Sequence, residues 1–283
     1  MTSGTTPADP ADAWRPQQYH RFRDERSRPF HDLLGLVERD GWPRRGPRIV
    51  DLGCGTGELT AHAHRFLDAS ETVGLDASPA MLADAAAHAG PRVRFARADI
   101  AAFPDRAPEA TGDERFDVVL ANASLQWVPD HERVLTSWSS ALTDHGQLAV
   151  QVPSNVDHPA HVVADEVAHE DRFAAAFADA PGGVPPTDPV RNVLPPEGYA
   201  ALLDALGFGR QHVRLQVYGH HHDTTADVVE WVKGTNLTRF QAVLAPDAFA
   251  EYVDRYRTRL VEVLGDQRPY FYPFKRILLW ARR

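Results

Sequence analysis

The chain has 283 residues, 43% hydrophobic and 24% charged, enough apolar material for one large soluble domain or a domain with a sub-domain. Its formal net charge of −9 argues against a partner held through bulk positive charge, whether nucleic acid or an anionic membrane. A single cysteine, Cys54, excludes an internal disulfide and suits a reducing, cytoplasmic setting, and no apolar run of about 18 residues offers a membrane span.

Residues 1–15 carry Pro, Thr, Ala and Asp without the basic and apolar regions of a secretory signal, and read as a disordered lead-in. Residues 16–45 are expected to form an N-terminal helical cap: 17–38 reads as helix, a break near Pro29, then helix, with Phe30, Leu33, Leu34 and Val37 at helical spacing. An α/β core over 46–153 follows, with strands at 48–53, 71–78, 92–99, 116–123 and 146–153. Helices at 57–68, 78–89 and 131–143 alternate with them; Ser78 is the expected N-cap of the second, with Pro79 at its first position. Such alternation implies a mostly parallel sheet covered on both faces. Residues 154–195, rich in Ala, Pro, Asp and His, read as a cap insertion with one or two short helices. A core helix (196–208) and strand (210–222) come next, then a lid of two helices within 223–268, and a last core strand within 269–283.

The first strand runs into Gly53-Cys54-Gly55-Thr56-Gly57. Glycines after a strand and before a helix serve close approach of backbone to a ligand. The dinucleotide fingerprint G-x-G-x-x-G requires glycine where this chain has Glu58, and a carboxylate at a helix start sits badly beside a pyrophosphate. Asp51 precedes the glycines, Asp76 ends the second strand and Asp99 the third. With Gly53 and Asn122, the latter two fall on the carboxyl edge of the sheet, where ligands of open parallel sheets bind. Acids at successive strand ends suit a nucleoside that carries a positive centre and no phosphate. Cys54 reads as a small loop residue. The "HHH" at 220–222 alternates across a strand, so at most His220 and His222 share a face, and no metal site is expected.

The segments "VDLGCGTG", "GLDASPAML" and "ARADI" resemble the class I S-adenosylmethionine-dependent methyltransferases over residues 46–152. The resemblance implies a Rossmann-like, doubly wound, seven-stranded sheet with an antiparallel last strand and a helical cap. It implies S-adenosylmethionine as cofactor, with Gly53, Gly55 and Gly57 under its methionine part, Asp76 on the ribose and Asp99 on the adenine. Ala77, Ser78, Met81 and Ile100 would wall the adenine.

A narrower resemblance, to the trans-aconitate 2-methyltransferase family, is carried by "YHRFRDERSRP" (19–29), "ANASLQWVPDH" (121–131), "LAVQVPSN" (148–155) and "ILLWARR" (277–283). It implies ester formation on a small polycarboxylic acid. A carboxylate acceptor is ionised at neutral pH and requires no general base. A hydroxyl acceptor would want one, and His20 and His131 are the candidates. Arginine forks suit carboxylates. Arg26, inside the matched motif, leads the substrate-binding candidates, with Lys233 and Arg239 in the lid and Tyr19 and Trp127 as pocket walls. Competing readings are a methyltransferase for another small acid or phenol, a non-catalytic cofactor-binding protein, and a nicotinamide oxidoreductase, which Glu58 disfavours. The expected partner is a small carboxylate, with no nucleic acid and no membrane; the sequence sets no oligomeric state.

Overall fold

The computed structural model describes residues 23–106, 109–112, 115–178 and 183–283, with side chains from Ser27 onward. The expectations for residues 1–22, Tyr19 and His20 among them, lie outside the described residues. The described chain divides into two compact units. The larger comprises Arg23–Ser154, Pro189–Tyr218 and Phe274–Arg283, and the smaller Asn155–Asp188 and Gly219–Pro273.

The larger unit is built on the sheet. Strands β1 (Arg48–Leu52), β2 (Glu71–Asp76), β3 (Val93–Arg97), β4 (Phe116–Asn122), β5 (Leu142–Pro153), β6 (Arg210–His222) and β7 (Tyr270–Arg282) lie in the order β3-β2-β1-β4-β5-β7-β6. The pairs among β1 to β5 are parallel, and β7 runs antiparallel to β5. Order reverses at β1, which has β2 on one side and β4 on the other; ligands of this sheet class bind at such a switch point.

Successive residues of each central strand feed opposite cores. One core takes Val50, Leu52, Val119, Ala121, Val150, Leu279 and Ala281, with Trp138 from α4 (His131–Ser140) and Tyr199 and Leu203 from α7 (Pro196–Ala205). The other takes Ile49, Val118, Leu120, Ala149, Leu278 and Trp280, with Phe30, Leu33 and Leu34 from α1 (Arg23–Leu34) and Ala63 from α2 (Glu58–Phe66). This two-sided burial explains the near-continuous apolar runs of β1 and β4. Helix α3 (Pro79–Ala85) has the Ser78 N-cap, whose Oγ accepts from Met81 N at 3.3 Å.

The break expected near Pro29 is absent: α1 runs through it. A helix-interior proline costs about 3 kcal/mol. Phe30, Leu33 and Leu34, each no more than 1% exposed, together gain about 5–9 kcal/mol by burial, which outweighs it. Helix α4 stops at Ser140, earlier than expected, because Leu142 already pairs with Phe116. Helix α7 stops at Ala205 because Gly207, at φ +79, turns the chain out of helix and donates to Asp204 O.

In the smaller unit α5 (Pro159–Ala168) packs on α10 (Pro246–Leu264), with Tyr252 and Tyr256 hydroxyls donating to Ala164 O and Ala160 O, each at 2.8 Å. Short helices α6 (Asp171–Ala174), α8 (Val228–Lys233) and α9 (Thr238–Gln241) complete it, so the lid is more broken than the two helices expected. Among the described residues no helix is long and apolar enough to cross a membrane.

Candidate functional site

The glycine loop leaves β1 with Gly53, Gly55 and Gly57 all at positive φ, +80, +55 and +76. A side chain at Gly53 would stand 2.3 Å from Ser124 Cβ, and one at Gly57 would stand 2.7 Å from Phe95 Cζ. These two glycines let the loop press against its own protein. Gly55 differs: a Cβ there meets no protein atom within 4 Å, so the space above it is open for a ligand to approach the backbone.

The acids around the loop take distinct roles. Asp76, half-buried at the end of β2, accepts from Gly55 N and from Ser78 N, each at 2.9 Å, and so ties the loop to the start of α3. Asp51, 3% exposed, accepts from Thr60 Oγ1 at 2.6 Å. Burial pushes its carboxyl up to about 6; the Thr60 bond opposes the shift and the Asp76 charge adds to it. Asp99, exposed two residues past the end of β3, accepts from Ala101 N at 2.9 Å and caps the turn over Ile100–Ala102. Ile100 is fixed by Trp138 Nε1, which donates to its carbonyl at 2.8 Å. Ala77 is exposed beside Asp76, and Ser78 and Met81 are buried. Burial raises the Cys54 thiol well above its ordinary range, which suits a packing role.

Beyond the loop, β4 ends at Asn122, paired with Gln151 of β5. Ala123 follows in a left-handed conformation at φ 55, and its N–H donates to Gln151 O at 2.8 Å. Ser124 Oγ donates to Leu52 O at 2.5 Å and locks this turn to β1. Non-glycine residues at positive φ concentrate at functional sites. Asn122 Oδ1, Gln126 Oε1 and Gln151 Nε2 are buried without hydrogen-bond partners. Neither glutamine is among the residues expected from the sequence; the one sign of Gln151 there is a polar residue inside an apolar strand.

Other expected residues have inward ties. His131 is 3% exposed, with Nδ1 2.7 Å from Tyr199 Oη and Nε2 3.0 Å from Leu125 O. The Leu125 carbonyl can only accept, so Nε2 carries the proton and Nδ1 accepts from Tyr199. Burial lowers its basicity. Trp127 is 39% exposed. In the smaller unit Arg239 is buried, donating to Asp165 Oδ1, Pro186 O and Asn236 Oδ1 and stacked over Phe240. Lys233 Nζ donates to Glu230 Oε2 at 3.4 Å. Arg26 lies in the first half of α1. His220 and His222 both pack against Trp231 while His221 meets Phe271, as alternation requires, and no metal-binding cluster occurs among the described residues. A cleft of about 240 Å³ lined by Arg45, Arg48, Ser70, Glu71, Pro91 and Arg92 lies at the amino ends of β1 and β2, the opposite edge of the sheet from the glycine loop.

A methyltransferase domain model matches residues 49–146, the glycine loop and the strand ends after it. The chain is 40% identical over 275 residues to trans-aconitate 2-methyltransferase of Deinococcus radiodurans, covering 95% of this chain and 98% of that one. It is 38% identical over 272 residues to trans-aconitate 2-methyltransferase of Streptomyces avermitilis, covering 96% and 97%. Among solved structures, BH2331 of Bacillus halodurans C-125 superposes with a TM-score of 0.54 at 17% identity, covering 89% of this chain and 98% of that one, a likeness of fold. With the glycine loop, the acids at the ends of β2 and β3 and end-to-end similarity all in agreement, the chain belongs to the trans-aconitate 2-methyltransferase family of methyltransferases.

Proposed function

We propose that the protein transfers the methyl group of S-adenosylmethionine to a carboxylate of a small polycarboxylic acid such as trans-aconitate. The observation that carries the cofactor half is the open approach above Gly55, flanked by acceptor-only side chains at Asp76 and Asp99. A Cβ at Gly55 would project into that space, which fits a ligand lying on the backbone. Carboxylates fit ribose hydroxyls and an adenine amino group, which a dinucleotide shares, and a cationic sulfonium, which it lacks; its pyrophosphate would sit badly beside Glu58. The activity of the two relatives, as their names give it, supports the acceptor.

Within this reading Gly53, Gly55 and Gly57 carry the methionine part, Asp76 the ribose, Asp99 the adenine amino group, and Ala77, Ser78, Met81 and Ile100 the adenine faces. Asp51 acts through the loop, holding Thr60 and adding negative potential beneath it. When bound, the cofactor supplies an electrophilic methyl carbon: an acceptor carboxylate oxygen forms the new C–O bond as the C–S bond breaks and its electron pair returns to sulfur. The acceptor is already ionised, so this chain has no proton to remove. Its contribution is alignment and exclusion of water, for which well-oriented systems reach about 7–11 kcal/mol. His131, with both ring nitrogens engaged, is a positioning residue in this scheme. A reducing cytoplasmic setting suits the buried Cys54 thiol.

Product mass spectrometry with S-adenosylmethionine and a panel of mono-, di- and tricarboxylates tests the proposal. A methyl ester from trans-aconitate is expected; no ester from any polycarboxylate would overturn it. Calorimetry with S-adenosylhomocysteine and NAD side by side is expected to give binding of the first alone.

A further inference from the structure

The carboxyl rim of the sheet changes character from one side to the other. From β3 to β1 it presents Asp99, Asp76 and the glycine loop. From β4 to β7 it presents Asn122, Gln151 and Arg276. Asn122 pairs with Gln151, Gln151 with Leu278, and Pro153 with Arg276. Residues two apart share a face, so Asn122 and Gln151 stand side by side and Arg276 lies diagonal to Gln151, all on the face that carries Leu120, Ala149, Leu278 and α1. Neighbouring parallel strands put such residues about 4.8 Å apart, and a diagonal about 7–8 Å.

Gln151 is 1% exposed, and its Nε2 has no hydrogen-bond partner. Gln147, two pleat repeats below on the same face and also fully buried, is its built-in contrast. Gln147 Oε1 accepts from Glu38 N and Trp280 Nε1, each at 2.8 Å, and its Nε2 donates to Glu38 O at 2.7 Å. Where a buried glutamine serves packing alone, the fold thus gives partners to both its oxygen and its nitrogen. A buried donor without a partner has given up its hydration for nothing, so Gln151 is destabilising unless something else bonds to it. Its neighbour Asn122 leaves an acceptor, Oδ1, in the same condition. An unmet acceptor suits a cationic partner and an unmet donor an anionic one. They occur in that order along the rim, the acceptor beside the glycine loop and the donor toward Arg276. Arg276 is 8% exposed with its guanidinium 4.4 Å from the Phe274 ring centroid.

We infer that Gln151 Nε2 and the Arg276 guanidinium form the subsite for a carboxylate of the methyl acceptor, with Asn122 Oδ1 turned to the cationic cofactor at the junction. This rests on the reading of the acceptor as a polycarboxylate. It assigns specificity to β5 and β7 of the larger unit, and gives the protein a cation-receiving and an anion-receiving half on one sheet edge. Acceptors with a second carboxylate bind better than those with one because the second engages this pair while the first meets the methyl group.

The test is calorimetric titration of trans-aconitate into the enzyme saturated with S-adenosylhomocysteine, for wild type, Gln151→Leu, Gln151→Glu, Arg276→Met and Arg276→Lys. Leu at 151 is expected to weaken trans-aconitate about tenfold, Glu at 151 and Met at 276 by about a hundredfold, and Lys at 276 to recover part of the loss. S-adenosylhomocysteine affinity should stay within about twofold throughout, since these side chains face the acceptor. In turnover the loss should appear in KM for trans-aconitate far more than for the monocarboxylate crotonate, a difference that general loss of packing would not produce. If Gln151→Leu loses S-adenosylhomocysteine binding, Gln151→Asn replaces it; the shortened amide is then expected to weaken trans-aconitate alone. Unchanged trans-aconitate affinity in the Leu (or Asn) and Met variants overturns the inference while ester formation by wild type leaves the proposed function standing. Wild type that forms no polycarboxylate ester overturns the proposed function. In that case loss of trans-aconitate binding in the variants still supports the subsite, and no trans-aconitate binding by wild type overturns it.

Discussion

Replacing Asp51 by Asn is expected to stabilise the protein increasingly as pH rises. Asp51 is buried, and its folded-state carboxyl sits at about 6 against an ordinary value of 3.8. Between those values the native state holds a proton that the unfolded chain has released, so stability falls with rising pH. The contribution is complete below about 4 and gone above about 6. Linkage with these two values gives a loss of about 1.4 kcal/mol between pH 5 and pH 8 from this group alone. The amide introduced by Asp51→Asn would retain an oxygen to accept from Thr60 Oγ1 while removing the buried charge and its repulsion from Asp76. The stability difference between variant and wild type should therefore move in favour of the variant by about 1.4 kcal/mol over that range. Urea unfolding of both proteins at pH 5, 6.5 and 8, without cofactor, measures it. A difference independent of pH, or one that moves toward wild type as pH rises, would refute the assignment of a raised carboxyl to Asp51. The same charge should favour the cationic methyl donor over its neutral product, so the variant should lose more affinity for S-adenosylmethionine than for S-adenosylhomocysteine.

Gly55→Ala and Gly57→Ala should separate ligand approach from packing. Both place alanine in a left-handed conformation at about 1–2 kcal/mol, but only Gly57→Ala also drives a methyl group into Phe95 and Ala85, adding about 1–3 kcal/mol of overpacking. Thermal unfolding should rank Gly57→Ala the less stable, and calorimetry should show a larger loss of cofactor affinity per unit of lost stability in Gly55→Ala; the opposite ranking would count against the open approach above Gly55. Asp76→Ala frees the Gly55 and Ser78 amides and should weaken S-adenosylhomocysteine by about 2 kcal/mol, and unchanged affinity would show that the ribose clasp lies elsewhere. His131→Phe strands the Tyr199 hydroxyl and the Leu125 carbonyl and should lower stability by about 1–3 kcal/mol. Its kcat should fall far less than the ~10²–10⁴ that general-base loss produces; a drop of that size in a folded variant would reinstate His131 as a base.

The glycine turn and the acids that follow β2 and β3 are legible in the sequence. A glycine turn between a strand and a helix is a local backbone requirement; Asp76 follows an apolar run and Asp99 a segment of period-two alternation, both patterns of strands. Ser78 and Pro79 announce a helix start by local chemistry, and the helix starts there. The errors came where distant packing overrules local preference. Pro29 signals a break, but the apolar face of α1 against Ile49, Val118, Ala149 and Trp280 carries the helix through it. Arg239 is a substrate-binding candidate by sequence, and only the folded chain shows that its donors go to Asp165, Pro186 and Asn236.

What the sequence determined by itself was the class of fold, the methyltransferase family and the glycine turn, because each is written in short local patterns, repeated along the chain for the fold and the family. What only the tertiary structure decided was which polar groups are already satisfied. Gln147 and Gln151 are alike in sequence, four residues apart on one strand. They differ because Glu38 and Trp280, far away in the chain, reach the first, while the second has Asn122 and Arg276 as its neighbours through strand register. Hydrogen-bond satisfaction belongs to pairs of groups, and pairs drawn from remote segments exist only once the sheet has formed.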